Sequence, residues 1–243
     1  MFESFYKYAS PRQFYRTAGR VIPWLAVFTG ILLLGGLYGG LVLAPTHYEQ
    51  GEGYRIIYVH VPSAWLSMFV YMVMASASAT ALIWRVKVAE VVASASAPVG
   101  ASFTFLALAT GSLWGKPMWG TYWVWDARLT SELLLLFLYL GFMALEAAID
   151  DKRQAARSCA VLALVGVVNI PIIHYSVEWW HTLHQGPTLS KFGERPMHPH
   201  MVIPLLTMAV AFTLYYGAVV LVRARYLIVE RESGASWVRE LEA

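Results

Sequence analysis

The chain is short of cysteine and short of charge. One thiol, Cys159, stands in an apolar run of a 243-residue sequence. A single cysteine excludes an internal disulfide and a CxxC redox pair, and in that setting it reads as a buried packing group. Only 14% of residues are charged, against about a quarter in soluble domains, while 58% are hydrophobic. A chain with so little polar surface cannot cover itself in water, and it takes lipid as its solvent. Net charge is +3, with the basic residues dispersed. Without a basic stripe, a nucleic-acid partner has no support. The sequence also lacks a nucleotide-binding motif, a nucleophile arrangement, an internal repeat and a low-complexity segment.

The apolar residues fall into six stretches, roughly 21–43, 59–84, 91–113, 129–149, 156–177 and 201–222. Each is near the ~20 residues that cross the hydrocarbon core as a helix. Lipid offers no partner to a free amide, so each stretch must satisfy its own backbone as a helix. The predicted fold is an all-α polytopic membrane protein of six spans, one membrane domain over 1–243. The basic N-terminus (Lys7, Arg12, Arg16, Arg20) precedes an apolar run longer than a signal-peptide core with no cleavage site behind it, so the run is expected to be retained. Ala75–Ala81 and Ala93–Ala101 are rich in small residues, which let helices approach closely. Pro62, Pro98, Pro171 and Pro204 lie within or at the mouths of spans, where neighbours must take up freed carbonyls. Asn169 is placed to donate a hydrogen bond between helices.

Orientation follows from the basic side chains. Lys7, Arg12, Arg16, Arg20, Arg85, Lys87, Lys152, Arg153, Arg157, Arg223, Arg225, Arg231 and Arg239 fall on one side. Arg55, Lys116, Arg128, Lys191 and Arg195 fall on the other. The bias puts both termini in the cytoplasm, with residues 223–243 as a cytoplasmic tail of mixed charge. Connections 44–58, 114–128 and 178–200 then form the outer face.

The second of these connections is dense in aromatic groups. Trp114, Trp119, Trp123 and Trp125, with Tyr122, fall within twelve residues. Gly115, Gly120 and Pro117 argue against one uninterrupted helix, so a loop or a short helix along the interface is expected. An aromatic belt at the headgroups is one reading. Each indole buries roughly 150–250 Å², so four left in water forgo on the order of ten kcal/mol at ~25 cal/mol per Å². Lipid headgroups could cover part of that surface, and a flat apolar ligand could cover all of it.

None of the seven histidines is in a cytoplasmic connection. His60 is at the outer mouth of the second span, and His184 is in the third outer connection. His47, His174, His181, His198 and His200 are at or near the same face. A heme takes axial nitrogens on opposite faces and apolar groups against the ring. Ligands from two separate connections can reach an iron from both sides. The lone cysteine excludes covalent c-type attachment to this chain. His198 and His200 with Glu194 make a weaker candidate for a divalent metal, lacking cysteine and a third well-spaced ligand.

The run Trp114-Gly115-x-x-x-Trp119-Gly120-x-x-Trp123-x-Trp125-Asp126-x-Arg128-Leu129-Thr130-Ser131 resembles the "WWD" signature of the heme-handling family of cytochrome c maturation. His60 before the second span, and Trp179-Trp180-x-Thr182-Leu183-His184-Gln185, resemble that family's two flanking histidine motifs. The similarity covers essentially the whole chain, and six spans in this length match the short branch, the CcmC family. The resemblance implies that His60 and His184 are axial ligands of heme b (iron protoporphyrin IX). It further implies that the tryptophan segment cradles an edge of the ring. Heme would be offered on the periplasmic side of the bacterial inner membrane to the chaperone CcmE, which captures it covalently through a histidine of its own. The ATP-binding cassette pair CcmA and CcmB would then release the loaded chaperone, with the small subunit CcmD in the complex.

The residues are consistent with that picture. Tryptophan faces exclude water, Arg128 and Arg55 are candidates for the anionic propionates, and Asp126 orients the loop or a bound partner. Two rivals stand beside it. A respiratory b-type cytochrome also pairs histidines, but within the bilayer and without need of a tryptophan platform. A heme channel would mark its path with buried charge, for which Glu132 and Glu146 are the few candidates.

Overall fold

The computed structural model describes residues 10–184 and 197–242. Lys7, Gln185, Lys191, Glu194 and Arg195, named above, lie outside them. Helix α1 (Pro11–Tyr38) continues as a π-helical turn over Gly39–Leu43, and a 3-10 turn, Glu52–Ile56, leads into α2 (Ile57–Trp84). Then come α3 (Lys87–Trp119), α4 (Ala127–Ala148), α5 (Lys152–Gly166), α6 (Asn169–Trp179), α7 (Pro199–Arg231) and the short α8 (Ser236–Glu242). No strand forms among the described residues. Six helical stretches are long and apolar enough to cross a membrane, α5 and α6 together making the fifth. The chain is a multi-pass membrane protein.

Helix ends are set by local chemistry. Ser10 accepts from the Gln13 amide with Pro11 at the first helical position, so α1 begins ahead of the apolar run and takes in Arg12, Arg16 and Arg20. Asp151 accepts from the amides of Arg153 and Gln154, both at 2.8 Å, and opens α5. Between α2 and α3 only Arg85 and Val86 intervene. Arg85 takes a left-handed φ of 54°, which costs a side-chain-bearing residue roughly 1–2 kcal/mol and folds α3 back against α2. α7 runs on to Arg231, so the first part of the charged tail is a continuation of the last span.

Helix α3 is the centre of the bundle: 67% of its apolar window is buried inside the protein, against 17% for α1. Ala95, Ser96 and Ala97 are fully buried at this core. Tyr71, Met74, Leu135 and Tyr139 pack around them from α2 and α4. Tyr139 donates to the Ser67 carbonyl at 2.8 Å, so its polar end has a partner. The fifth span breaks at Val167 and Val168, where Pro171 has no amide to offer the Val167 carbonyl. Asn169, just past the break, donates to the Ser131 carbonyl at 2.9 Å, the interhelical bond expected of it.

The end of α3 that carries Glu90 is fastened by ionic groups. Arg231 lies 3.1 Å from Glu146 and 3.8 Å from Glu90, and Ser94 donates to Glu146. This network ties α3, α4 and α7, and it occupies Glu146. A second apolar cluster secures the other end: Ala44, Tyr54, Ile57 and Tyr58 pack against Met201, Leu205 and Met208 of α7. Tyr54 also donates to the Pro45 carbonyl at 2.8 Å.

The expected orientation has a direct check, because Cys159 is buried and contributes little background labelling. Tyr48→Cys and Gln154→Cys, both at exposed positions, sit at opposite ends of the bundle. With both termini in the cytoplasm, a membrane-impermeant maleimide labels the first in intact cells, and the second only after permeabilisation.

Candidate functional site

At the ends of α2, α3 and α4 a cleft of about 440 Å³, counting its open mouth, is lined by His60, Gly111, Arg128, Glu132 and His184 among others. His60 comes from the first turns of α2, and His184 from the segment after α6. Two histidines more than a hundred positions apart therefore open onto one cavity.

The setting of His60 is built by α3. Its ring lies against Gly111, where an added Cβ would come within 2.9 Å of the imidazole Cε1. Only glycine leaves room for the ring at that crossing. Thr110, the neighbouring residue, is 3.0 Å from His60 Nδ1. The Thr110 hydroxyl donates to the Leu106 carbonyl at 2.6 Å, so its oxygen is left to accept Nδ1–H. His60 thus holds its proton on Nδ1, and Nε2 carries the lone pair. Trp114, one turn further along α3, meets the ring edge-on at 5.7 Å between centroids. The Trp114 indole donates to Gln50 at 3.2 Å.

The setting of His184 is built by the aromatic segment. Where a loop or a separate short helix was expected, its first part is the end of α3, which runs through Pro117 to Trp119. Gly120 then takes a φ of 78° and its amide caps the Lys116 carbonyl, the turn a left-handed glycine permits. Residues 120–126 fold back, and Ser112 donates to the Tyr122 carbonyl at 2.8 Å to hold them. Asp126 ends the segment as the cap of α4, its Oδ1 accepting from the Leu129 amide at 2.8 Å. Trp119 packs edge-on against the His184 ring at 4.8 Å. The second Asp126 oxygen, Oδ2, lies 3.8 Å from His184 Nδ1. Burial, reinforced by the Arg128 guanidinium, holds the His184 imidazolium pKa below its ordinary value, with Asp126 pulling the other way. The ring is neutral at physiological pH, the state that offers a lone pair.

Arg128 also faces the cavity and donates to the Ile173 carbonyl at 3.1 Å, spanning from α4 to α6. Glu132, one turn on, is buried at the cavity wall, and its Oε1 has no partner among the described residues. Trp123 is likewise buried at its indole nitrogen without a partner, stacked edge-on with Trp125 at 5.4 Å. Trp125 is 77% exposed and stands outside the cleft. Arg55 is not at the cleft wall. It donates to the Gly40 and Ala44 carbonyls and pairs with Glu52, pinning the end of α1.

The remaining histidines have other settings. His47 Nδ1 accepts from the amides of Glu49 and Gln50 in a tight turn. His198 caps α7 and stacks on His200, while His174 and His181 are exposed. No group of three metal-ligating side chains gathers among the described residues.

Two imidazoles from separate elements, each with an indole edge-on against it, thus open onto one cleft. The family model for CcmC, heme exporter protein C, matches residues 4–239. The chain belongs to the heme exporter protein C family. A heme exporter protein C of Bradyrhizobium diazoefficiens is 54% identical over 223 residues, covering 92% of this chain and 84% of that protein. The heme exporter protein C of Escherichia coli K12 is 50% identical over 241 residues, covering 99% of this chain and 97% of that protein. A putative cytochrome c biosynthesis ccmC-like mitochondrial protein of Marchantia polymorpha is 41% identical over 202 residues, covering 83% and 86%. As a member of the heme exporter protein C family, the chain matches its relatives over nearly their full length.

Sequence reasoning passed over Thr110, Gly111 and Ser112. Their signal was faint: a small, polar triplet one turn ahead of Trp114, in a span whose other small residues serve helix packing. Asp126 has a structural job that separates its variants. Asp126→Ala removes the cap and lowers stability by about 1 kcal/mol, whereas Asp126→Asn keeps a capping oxygen and leaves it nearly unchanged. Thermal unfolding of the detergent-purified protein, followed by circular dichroism, reads the difference.

Proposed function

We propose that the chain binds heme b at the outer, periplasmic face of the bacterial inner membrane and presents it to a heme chaperone during c-type cytochrome maturation. The observation that carries this reading is the convergence of His60 and His184 on one cavity. The names of the relatives, heme exporter protein C and a cytochrome c biosynthesis protein, support the cargo and its pathway.

The residues fit an iron porphyrin. Two imidazole nitrogens from different elements supply an axial pair without a thiolate. With Nδ1 committed on His60, Nε2 is the coordinating atom. Trp114 and Trp119 brace the two rings edge-on, and Trp123 adds a buried indole whose N–H has no partner among the described residues. His60 and His184 together would close both axial positions of a heme iron to oxygen.

Arg128 is the first candidate for a propionate, since it already faces the cleft. Arg55 would take the second by exchanging the Glu52 carboxylate for another carboxylate. Trp125, projecting outside the cleft, suits contact with the chaperone, for which CcmE is the partner that the family resemblance implies. CcmA, CcmB and CcmD complete the proposed assembly. The chain itself acts as a holder and presenter: it forms no bond to heme beyond coordination, and attachment takes place on the chaperone.

The visible spectrum of detergent-purified protein tests the ligand pair. His60→Ala and His184→Ala each weaken a low-spin bis-histidine spectrum or convert it to high spin, and Gly111→Ala perturbs it by driving the His60 ring out of place. Retention of the unaltered low-spin spectrum by both histidine variants would refute the assignment.

A further inference from the structure

Asp126 has two oxygens with different fates. Oδ1 is committed to the Leu129 amide, which pins the carboxylate to the start of α4. Oδ2 is buried and has no hydrogen-bond partner among the described residues, and the same is true of His184 Nδ1. These two unsatisfied atoms face each other at 3.8 Å. Among the described residues, no lysine or arginine forms an ion pair with Asp126; its one ionisable neighbour within that distance is His184. A buried acceptor and a buried ring nitrogen each left unmade cost about 1–3 kcal/mol. A small rotation of the His184 ring closes the gap and satisfies both, provided the proton is on Nδ1.

We propose that Asp126 is a positioning residue for His184: its Oδ2 accepts Nδ1–H, which fixes the tautomer and leaves Nε2 as the lone-pair nitrogen. Trp119, edge-on against the ring at 4.8 Å, limits its rotation, so the carboxylate and the indole together define one orientation. The same carboxylate caps α4, whose first turn carries Arg128. One side chain thereby registers a ligand and a cavity cation to the same helix end.

The two imidazoles are backed unequally. His60 rests on the neutral hydroxyl of Thr110, which can only accept a hydrogen bond of ordinary strength. His184 rests on a carboxylate, which raises the electron-donating power of the imidazole it holds. His184 is therefore the firmer ligand and His60 the more readily released one. This consequence for heme rests on the ligand reading given above, whereas the tautomer does not.

Asp126→Asn separates positioning from capping. Its amide oxygen keeps the Leu129 bond, so its nitrogen must face His184 Nδ1. An amide donates there, which drives the proton to Nε2 and abolishes the coordinating lone pair. Nitrogen-15 NMR of the full-length, histidine-labelled protein in detergent, without added heme, reads the tautomer directly, with His184→Ala assigning the resonance. The expected result is an Nδ1–H tautomer in the parent chain and an Nε2–H tautomer in Asp126→Asn, at unchanged thermal stability. Titration with iron protoporphyrin IX then shows roughly 10- to 100-fold weaker binding in Asp126→Asn, the usual loss on removing an outer-shell partner. The midpoint potential of the heme that does bind moves positive. An unchanged His184 tautomer in Asp126→Asn overturns the inference, whatever heme does. If instead the tautomer flips but His184→Ala keeps the parent heme spectrum, the inference about Asp126 stands and the assignment of His184 as a heme ligand falls.

Discussion

The close approach of α2 to α3 is the contact on which the cavity depends. In lipid there is no hydrophobic drive to press one helix against another, so two helices approach closely only where their facing side chains are small. Ala75–Ala81 on α2 and Ala93–Ala101 on α3 provide that surface, and the left-handed turn at Arg85 folds the two helices back to back. Close packing near the turn is carried to the far end of the pair. There it brings His60 so near to α3 that only a glycine fits at position 111. The same proximity lets Thr110 reach the His60 ring. A bulkier seam lower in the bundle would separate His60 from both.

The second half of the cavity is assembled on the start of α4. Asp126 caps it, Arg128 bridges from it to the Ile173 carbonyl, and Ser131 receives the Asn169 amide from just beyond the break in the fifth span. The break is thus a point of attachment. It ties the start of α6, the helix that leads to His184, to the first turns of α4. Each half of the site brings an imidazole, an indole against it, and an oxygen near its Nδ1. The halves differ in that oxygen, hydroxyl on one side and carboxylate on the other.

Aromatic density in the sequence marked the right neighbourhood without revealing its division of labour. Trp114 and Trp119, taken together with Trp123 and Trp125 as one platform, are separate braces for separate histidines, on the last two turns of α3. Pro117 argued for an earlier helix end, yet the helix passes it because the freed carbonyl is near the terminus, where few bonds remain to be lost. Glu146 drew notice as a buried charge, and its neighbours Arg231 and Ser94 give it a structural partnership. Arg55, ahead of the second span, and Arg128, beside the tryptophan motif, are both candidate cations in the sequence, and their settings differ. One is held by backbone carbonyls at the end of α1, and the other lines the cleft.

The sequence by itself determined that the chain spans a membrane six times as helices. Hydropathy and the backbone's need for internal hydrogen bonds in lipid leave no other solution, and neither depends on which helix meets which. It also determined the chemical inventory available to a site, because histidines and tryptophans are countable. Only the tertiary structure decided which of seven histidines share a cavity, that Gly111 and Thr110 belong to it, and that the two oxygens of Asp126 serve different partners. Those are matters of distance between residues tens of positions apart, set by helix packing and by breaks and caps at helix ends. Composition and local spacing carry no record of them.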